Sequence, residues 1–208
     1  MVRLSKSFGL IAPYAAWMVL MTALPATVGG YAVRTAVVAA LLAWGWWQGR
    51  ETGDERRASC LSSSVSRLAS SLLPGFLVGL VVFAIWILPE QFDWAWYRRF
   101  CILGEGGTQA VAEASTAMIA IRLIGSAFVI SVAEELFFRK WLIPFAGFWW
   151  MVGLFAIEHD RWLVGALCGI VYGWLYLRKG LLSAIVAHAT TNLVLGLWVL
   201  KTGQWQFW

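Results

Sequence analysis

Three short stretches of this 208-residue chain place acids, imidazoles and a carboxamide inside otherwise apolar runs. In "EELFFR", Glu134 and Glu135 are followed by Arg139. In "FAIEH", Phe155 stands four residues before His159, and in "HATTN" His188 stands four before Asn192. Residues four apart share a helical face, so each of the pairs Glu135–Arg139, Phe155–His159 and His188–Asn192 presents its two side chains together. Glu135 and Arg139 are in the favourable acid-before-base order. Glu134 is turned about 100° from Glu135 around the helix, so one carboxylate has a built-in partner and the other has none. This set suits activation of water and stabilisation of an oxyanion. A buried Glu can act as general base, a neighbouring His can share the water, and His188 with Asn192 can donate to the developing negative charge. It is the equipment of a peptidase with no Ser or Cys nucleophile. Two His and a Glu also suit Zn²⁺, although neither an HExxH stretch nor a nearby Cys accompanies them.

The elements that position these residues are membrane helices. Apolar residues make up 61% of the chain and charged residues 13%, against about 25% charged in a soluble domain. The mean hydropathy is +0.73. Such a composition cannot cover a soluble surface with polar groups, which excludes a soluble globular domain, a disordered chain and a nucleic-acid-binding domain. The 15 Trp residues fit anchoring at lipid–water interfaces. Cys60, Cys101 and Cys168 are too scattered for a disulfide framework or a thiolate metal site. The expected fold is an all-α polytopic bundle forming a single membrane domain over 1–208. Its N-terminal spans and interfacial segments cover 1–116, and a core over 117–200 carries the three motifs.

Seven spans are expected, at about 8–29, 31–47, 73–88, 117–141, 148–158, 162–177 and 181–200, the fifth being short. With the N-terminus inside, Arg3, Lys6, Arg50, Arg56, Arg57, Arg67, Arg139, Lys140, Arg178 and Lys179 lie on the inner side. These are ten of the sixteen basic residues, so the positive-inside rule favours N-in and C-out. Leu61, Val65, Leu68 and Leu72 suggest an amphipathic helix on the inner leaflet over 50–72. Trp94, Trp96 and Tyr97 suggest an outer interfacial segment within 89–116. Gly165, Gly169 and Gly173 recur every four residues and would let the sixth helix approach its neighbours closely.

Glu134, Glu135, Arg139, Glu158, Asp160 and Arg161 lie in or beside apolar spans. Left isolated at mid-membrane, six such charges would cost about 15–20 kcal/mol, so they must be paired, hydrated or lining a cavity. Turns are expected at Pro144–Gly147 and at Gly180, both on the inner side. Measured from those turns at the helical rise, Glu135 lies ~13 Å, His159 ~18 Å, His188 ~12 Å and Asn192 ~18 Å into the bundle. The four therefore fall at similar depth, in a site expected to be approached from the inside, with "EHDR" dipping into the bundle.

Together the stretches resemble EExxxR, FxxxH and HxxxN/D, the motifs that define the CAAX protease and bacteriocin-processing family of intramembrane proteases. The resemblance covers about residues 117–200. "EHDRWLVG", "YGWLY" and "TGQWQFW" look like the CAAX prenyl protease-related group associated with bacterial exosortase and PEP-CTERM sorting systems. The resemblance implies an intramembrane glutamate-dependent endopeptidase. Glu134 would be the general base, His159 would position the water, and His188 with Asn192 would stabilise the oxyanion. Glu135, Arg139 and Phe155 would shape the site. No cofactor is expected, with a zinc-dependent version as the rival. The implied partners are membrane lipid and a peptide or protein substrate of a sorting system, and no nucleic acid. The implied location is the bacterial inner (cytoplasmic) membrane, multi-pass, with a cytoplasmic N-terminus. A prenylated substrate does not carry over, because bacteria generally lack prenylated CAAX proteins. Glu158, Asp160 and Arg161 are more charge than the motif needs. The readings from other classes are a non-catalytic scaffold or immunity-type membrane protein, and a transporter, against which the lack of an internal repeat counts.

Overall fold

A backbone in lipid must satisfy its own hydrogen bonds, and a helix does so within one segment. The computed structural model, which describes residues 2–25, 27–51, 61–103 and 116–207, is accordingly an all-α membrane bundle. Its helices are α1 (Val2–Ala23), α2 (Val28–Glu51), α3 (Leu61–Gln91), α4 (Ala95–Cys101), α5 (Thr116–Ala146), α6 (Phe148–Ile157), α7 (Trp162–Lys179) and α8 (Leu181–Thr202), followed by a 3₁₀ turn at Trp205–Phe207. Among the described residues, Ser70–Gln91, Thr116–Ala146 and Leu181–Thr202 are long and apolar enough to cross a membrane, while the apolar parts of α1 and α6 are shorter. The burial pattern is that of a protein in lipid. Phe145, Trp149, Trp150 and Ile157 are at least 70% exposed, while Glu135 and Arg139 are fully buried.

Several boundaries differ from the sequence expectation. The first span ends at Ala23 rather than 29, because the chain breaks at Pro25 before α2 begins. Arg34 is buried in that corner, where its guanidinium donates to the carbonyls of Leu24 and Pro25. The third span is the end of a 31-residue helix with Pro74 and Pro89 inside it. The side chains of 61–69 and residues 52–60, on which the inner amphipathic face was read, lie outside the described residues, as do 104–115. Of the expected outer anchors, Trp94 and Trp96 are exposed, but Tyr97 is 1% exposed and belongs to the main core.

Glycine sets the packing in two ways. Gly147 and Gly180 close their helices at φ +98° and +87°, a region where an L side chain is strained. These are the two turns read from the sequence. At Gly79 a Cβ would lie 2.6 Å from the carbonyl oxygen of Ala187, and at Gly75 2.7 Å from that of Ser183. Hence α3 and α8 run parallel in backbone contact. The stripe on α7 is used in the same manner. Gly165 meets Ala156, Gly169 meets Val152, and Gly173 meets Met151 and Phe148, forming the α6–α7 hairpin.

That hairpin closes over 158–161 against the last turn of α3 and the segment after α4. Arg161 forms a buried ion pair with Glu90. The Leu103 N–H donates to the Asp160 carbonyl at 2.8 Å, Ile102 bridges Arg161, and the guanidinium lies 4.9 Å from the Phe207 ring centroid. The "EHDR" stretch therefore sits where α3 and α8 finish, at the end of the bundle opposite Gly180. Its extra charge goes in part into a structural latch.

Candidate active site

The site is built on α5, which is widened twice. Gly125–Ile130 and Leu136–Leu142 are π-helical, with the regular turn Ser131–Glu135 between them. A π turn inserts an extra residue and re-aims the side chains around it, and such turns are frequent at functional sites. In the first one the Ser131 N–H reaches back to the Ser126 carbonyl, which also accepts from Ser131 Oγ at 2.9 Å and from Asn192 Nδ2 at 3.1 Å. Asn192 Nδ2 donates in addition to Ser131 Oγ at 3.2 Å. The carboxamide from α8 is thereby locked onto α5.

The regular turn between the two carries the acids. His188, from α8, stands between them. Its Nδ1 lies 2.9 Å from Glu135 Oε1, and its Nε2 lies 3.7 Å from Glu134 Oε2. With Glu135 as the acceptor for an Nδ1–H, the tautomer is set and Nε2 is turned toward Glu134. The ring of Tyr172 stacks on His188 with centroids 5.1 Å apart and planes 21° from parallel. The Tyr172 hydroxyl donates to Thr191 Oγ1 at 2.7 Å. Thr191 is in turn within hydrogen-bond distance of the carbonyls of Gly79, at 2.9 Å, and Ala187, at 3.0 Å. Glu134 Oε2 is buried and has no hydrogen-bond partner among the described residues.

Glu135 has a second charged neighbour. Arg139 Nε lies 3.1 Å from Glu135 Oε2, both side chains being fully buried, without the alignment of a hydrogen bond. The guanidinium is boxed by aromatic rings, 4.3 Å from the centroid of Phe155, 5.5 Å from Tyr172 and 5.8 Å from Phe138. Ring faces attract a cation, most strongly where water is excluded. Phe155 therefore has a double role. It covers Arg139 on one side and lies 4.7 Å from the His159 ring on the other.

His159 Nδ1 is 2.7 Å from the Phe155 carbonyl, so Nδ1–H is the donor there and Nε2 keeps its lone pair. Trp86 meets the His159 ring edge-on, with centroids 5.5 Å apart. A cavity of about 210 Å³ is lined by Glu134, Phe155, His159, His188 and Asn192 together with Trp86, Ser126, Tyr172 and Thr191. It exceeds the ~30 Å³ share of one water several times over. The structure thus gathers Glu134, Phe155, His159, His188 and Asn192 around one space and holds Glu135 and Arg139 behind it. Among the described residues no group of three or more His, Cys, Asp or Glu side chains could hold a metal ion.

Sequence reading missed Trp86, Ser126, Ser131, Tyr172 and Thr191. Thr191 follows His188 by three and so shares its face, which was a usable signal. Trp86 and Tyr172 are aromatic residues in apolar helices, indistinguishable there from packing.

Residues 116–194 match the protein-family model described as "Type II CAAX prenyl endopeptidase Rce1-like". Comparison with curated proteins and with solved structures finds no match. The matched segment runs from the start of α5 into α8 and contains every one of the motif residues, Glu134, Glu135, Arg139, Phe155, His159, His188 and Asn192. Over that segment, 79 of its 208 residues, this membrane protein is similar to the type II CAAX prenyl endopeptidases.

Proposed function

We propose that the protein hydrolyses a peptide bond of a membrane-associated substrate with a glutamate-activated water. Glu134 Oε2 takes a proton from water held between it and His159 Nε2, and the hydroxide adds to the scissile carbonyl carbon. His188, as imidazolium, donates Nδ1–H to Glu135 and Nε2–H to the oxyanion. Asn192 joins as a second donor by exchanging its Ser131 contact for the oxyanion. The proton on Glu134 then passes to the leaving nitrogen as the C–N bond breaks, giving an acid and an amine. No step is routed through a metal. The observation that carries this reading is the pairing of His188 with two carboxylates, one bound to Nδ1 and the other facing Nε2 with an oxygen left unpartnered. Such an arrangement positions one acid to orient the ring and the other to do chemistry. The host membrane we propose is the bacterial inner membrane, N-terminus cytoplasmic. The proposed substrate class is a peptide of an exosortase-type sorting system, on the strength of the "EHDRWLVG", "YGWLY" and "TGQWQFW" resemblance.

The test is digestion of a proteome-derived library of membrane-segment peptides by the reconstituted protein, read by mass spectrometry. Loss of the general base should slow cleavage by about 10²–10⁴, so products of the wild type should vanish in Glu134→Gln. Identical product sets from the two would overturn the reading.

A further inference from the structure

The cavity has a direction. Its floor is Glu134 and His188, in the middle of α5 and α8. Its remaining lining runs one way only, through Ser126 and Leu195 to Tyr31, Arg122, Gly196 and Phe207. Tyr31 and Arg122 lie in the opening turns of α2 and α5, Gly196 lies in the last third of α8, and Phe207 is in the final 3₁₀ turn. Among the described residues, nothing lines it from the other half of the bundle. No residue of α5 after Glu134, of α7 after Tyr172 or of α8 before His188 contributes. In that other half α5 narrows to the aromatic box around Arg139, whose neighbours Phe138, Phe155 and Tyr172 are each about 1% exposed. The site is thus a funnel plugged at the end that bears the Gly180 turn and opening toward the end where α3 and α8 finish.

The basic residues say which end faces the cytoplasm. Arg178 and Lys179 form the last turn of α7 at the plugged end. Of the sixteen Lys and Arg residues, the alternation of spans puts ten on that side, and nine remain once the buried Arg139 is set aside. At the open end, Arg34 is bound to backbone carbonyls and Arg161 to Glu90. These two are internal parts of the fold. With the basic end inside, the cavity runs toward the side opposite to the approach expected from the sequence.

We infer that the active site is reached from the non-cytoplasmic side, and that its substrates are segments of exported proteins presented at the outer leaflet. The substrate part of this inference rests on the peptidase reading above; the sidedness does not. The rim chemistry suits such a segment. Leu195 and Phe207, 8% and 5% exposed, give the funnel an apolar wall, and Tyr31 and Arg122 sit together beside them, the guanidinium 5.5 Å from the ring centroid.

The test labels single cysteines in a variant with Cys60, Cys101 and Cys168 replaced by Ala. Ser126→Cys reports the funnel, Leu195→Cys is an independent second reporter, and Arg178→Cys marks the plugged end. A membrane-impermeant maleimide is applied to right-side-out and inverted vesicles. The expected result is labelling of Ser126→Cys or Leu195→Cys in right-side-out vesicles only, and of Arg178→Cys in inverted vesicles only. Labelling of the funnel reporters from the same side as Arg178→Cys, or from neither side, would overturn the inference. The readout needs no cleavage, so it stands apart from failure of the peptidase reading. If the funnel opens outward yet Glu134→Gln changes no product, the peptidase reading falls and the sidedness remains.

Discussion

The Nδ1 of His188 lies 2.9 Å from Oε1 of Glu135, a contact between residues 53 positions apart that joins α8 to α5. Because the same Glu135 also carries the fully buried Arg139, neighbouring acids in the chain have opposite duties. Glu135 is held between two side chains, His188 and Arg139, whereas Glu134 makes only the longer 3.7 Å approach to His188 Nε2.

Isosteric amides should separate these duties. Glu135→Gln removes the charge opposite a buried guanidinium, and breaking a buried pair from one side costs about 3–5 kcal/mol. It should lower the melting temperature in detergent strongly and lower cleavage as well. Glu134→Gln removes a carboxylate whose Oε2 makes no hydrogen bond, so its melting temperature should stay near that of the wild type while cleavage is lost. Equal melting temperatures for the two variants would show that the Glu135–Arg139 pair does not carry the load assigned to it.

Arg139 permits a sharper version. Alone, Arg139→Met leaves Glu135 buried with one partner fewer and should destabilise by about 3–5 kcal/mol. Paired with Glu135→Gln, it leaves no uncompensated charge, and a Met can fill the aromatic box. The double variant should therefore be more stable than Arg139→Met alone. A double-mutant cycle read by denaturation in mixed micelles gives the coupling energy, and a value near zero would contradict the ionic reading of the 3.1 Å contact.

Ser131 offers a test of positioning. Its hydroxyl donates to the Ser126 carbonyl and accepts from Asn192. Ser131→Ala keeps the backbone bond of the widened turn but removes one of the two acceptors of Asn192 Nδ2. Stability should fall by about 0.5–1.5 kcal/mol, the net worth of a neutral hydrogen bond. In the peptidase reading, kcat should change more than KM, because Asn192 is asked to act on the oxyanion and not on the bound substrate. A change in KM alone would place Asn192 in substrate binding.

How much of this was legible beforehand depends on the range of each relationship. The pair Glu135–Arg139 is local, so helical spacing alone revealed it. The common depth of Glu135 and His188 followed from counting residues back to Pro144 and Gly180, whose turns were visible as a proline and glycines after helical runs. What spacing could not show was that both acids meet one imidazole, since a widened turn leaves no mark in residue types and shifts the faces of everything beyond it. Nor could it show which way the cavity opens, because this is set by Trp86, Tyr31 and Phe207, which come from three distant parts of the chain. Arg161 illustrates a further limit. Its partner Glu90 lies 71 residues away, so charge beside the motif was readable while its use as a latch was not.

The hydroxyl relay beneath His188 should respond asymmetrically to removal of its two members. Tyr172 supplies the ring that stacks on His188 and a hydroxyl that reaches Thr191. In Tyr172→Phe the ring remains, and Thr191 Oγ1 keeps the carbonyls of Gly79 and Ala187 within reach. That substitution should therefore cost no more than about 0.5–1.5 kcal/mol. Thr191→Val keeps the shape but strands the phenol of a residue that is 1% exposed. A buried polar group without a partner costs about 1–3 kcal/mol, and the α3–α8 contact at Gly79 loses its one side-chain bond among those described above. Thermal unfolding of both variants in one detergent should rank Thr191→Val as the less stable. The reverse order would mean that the phenol, and not the threonine, is the anchor of the relay.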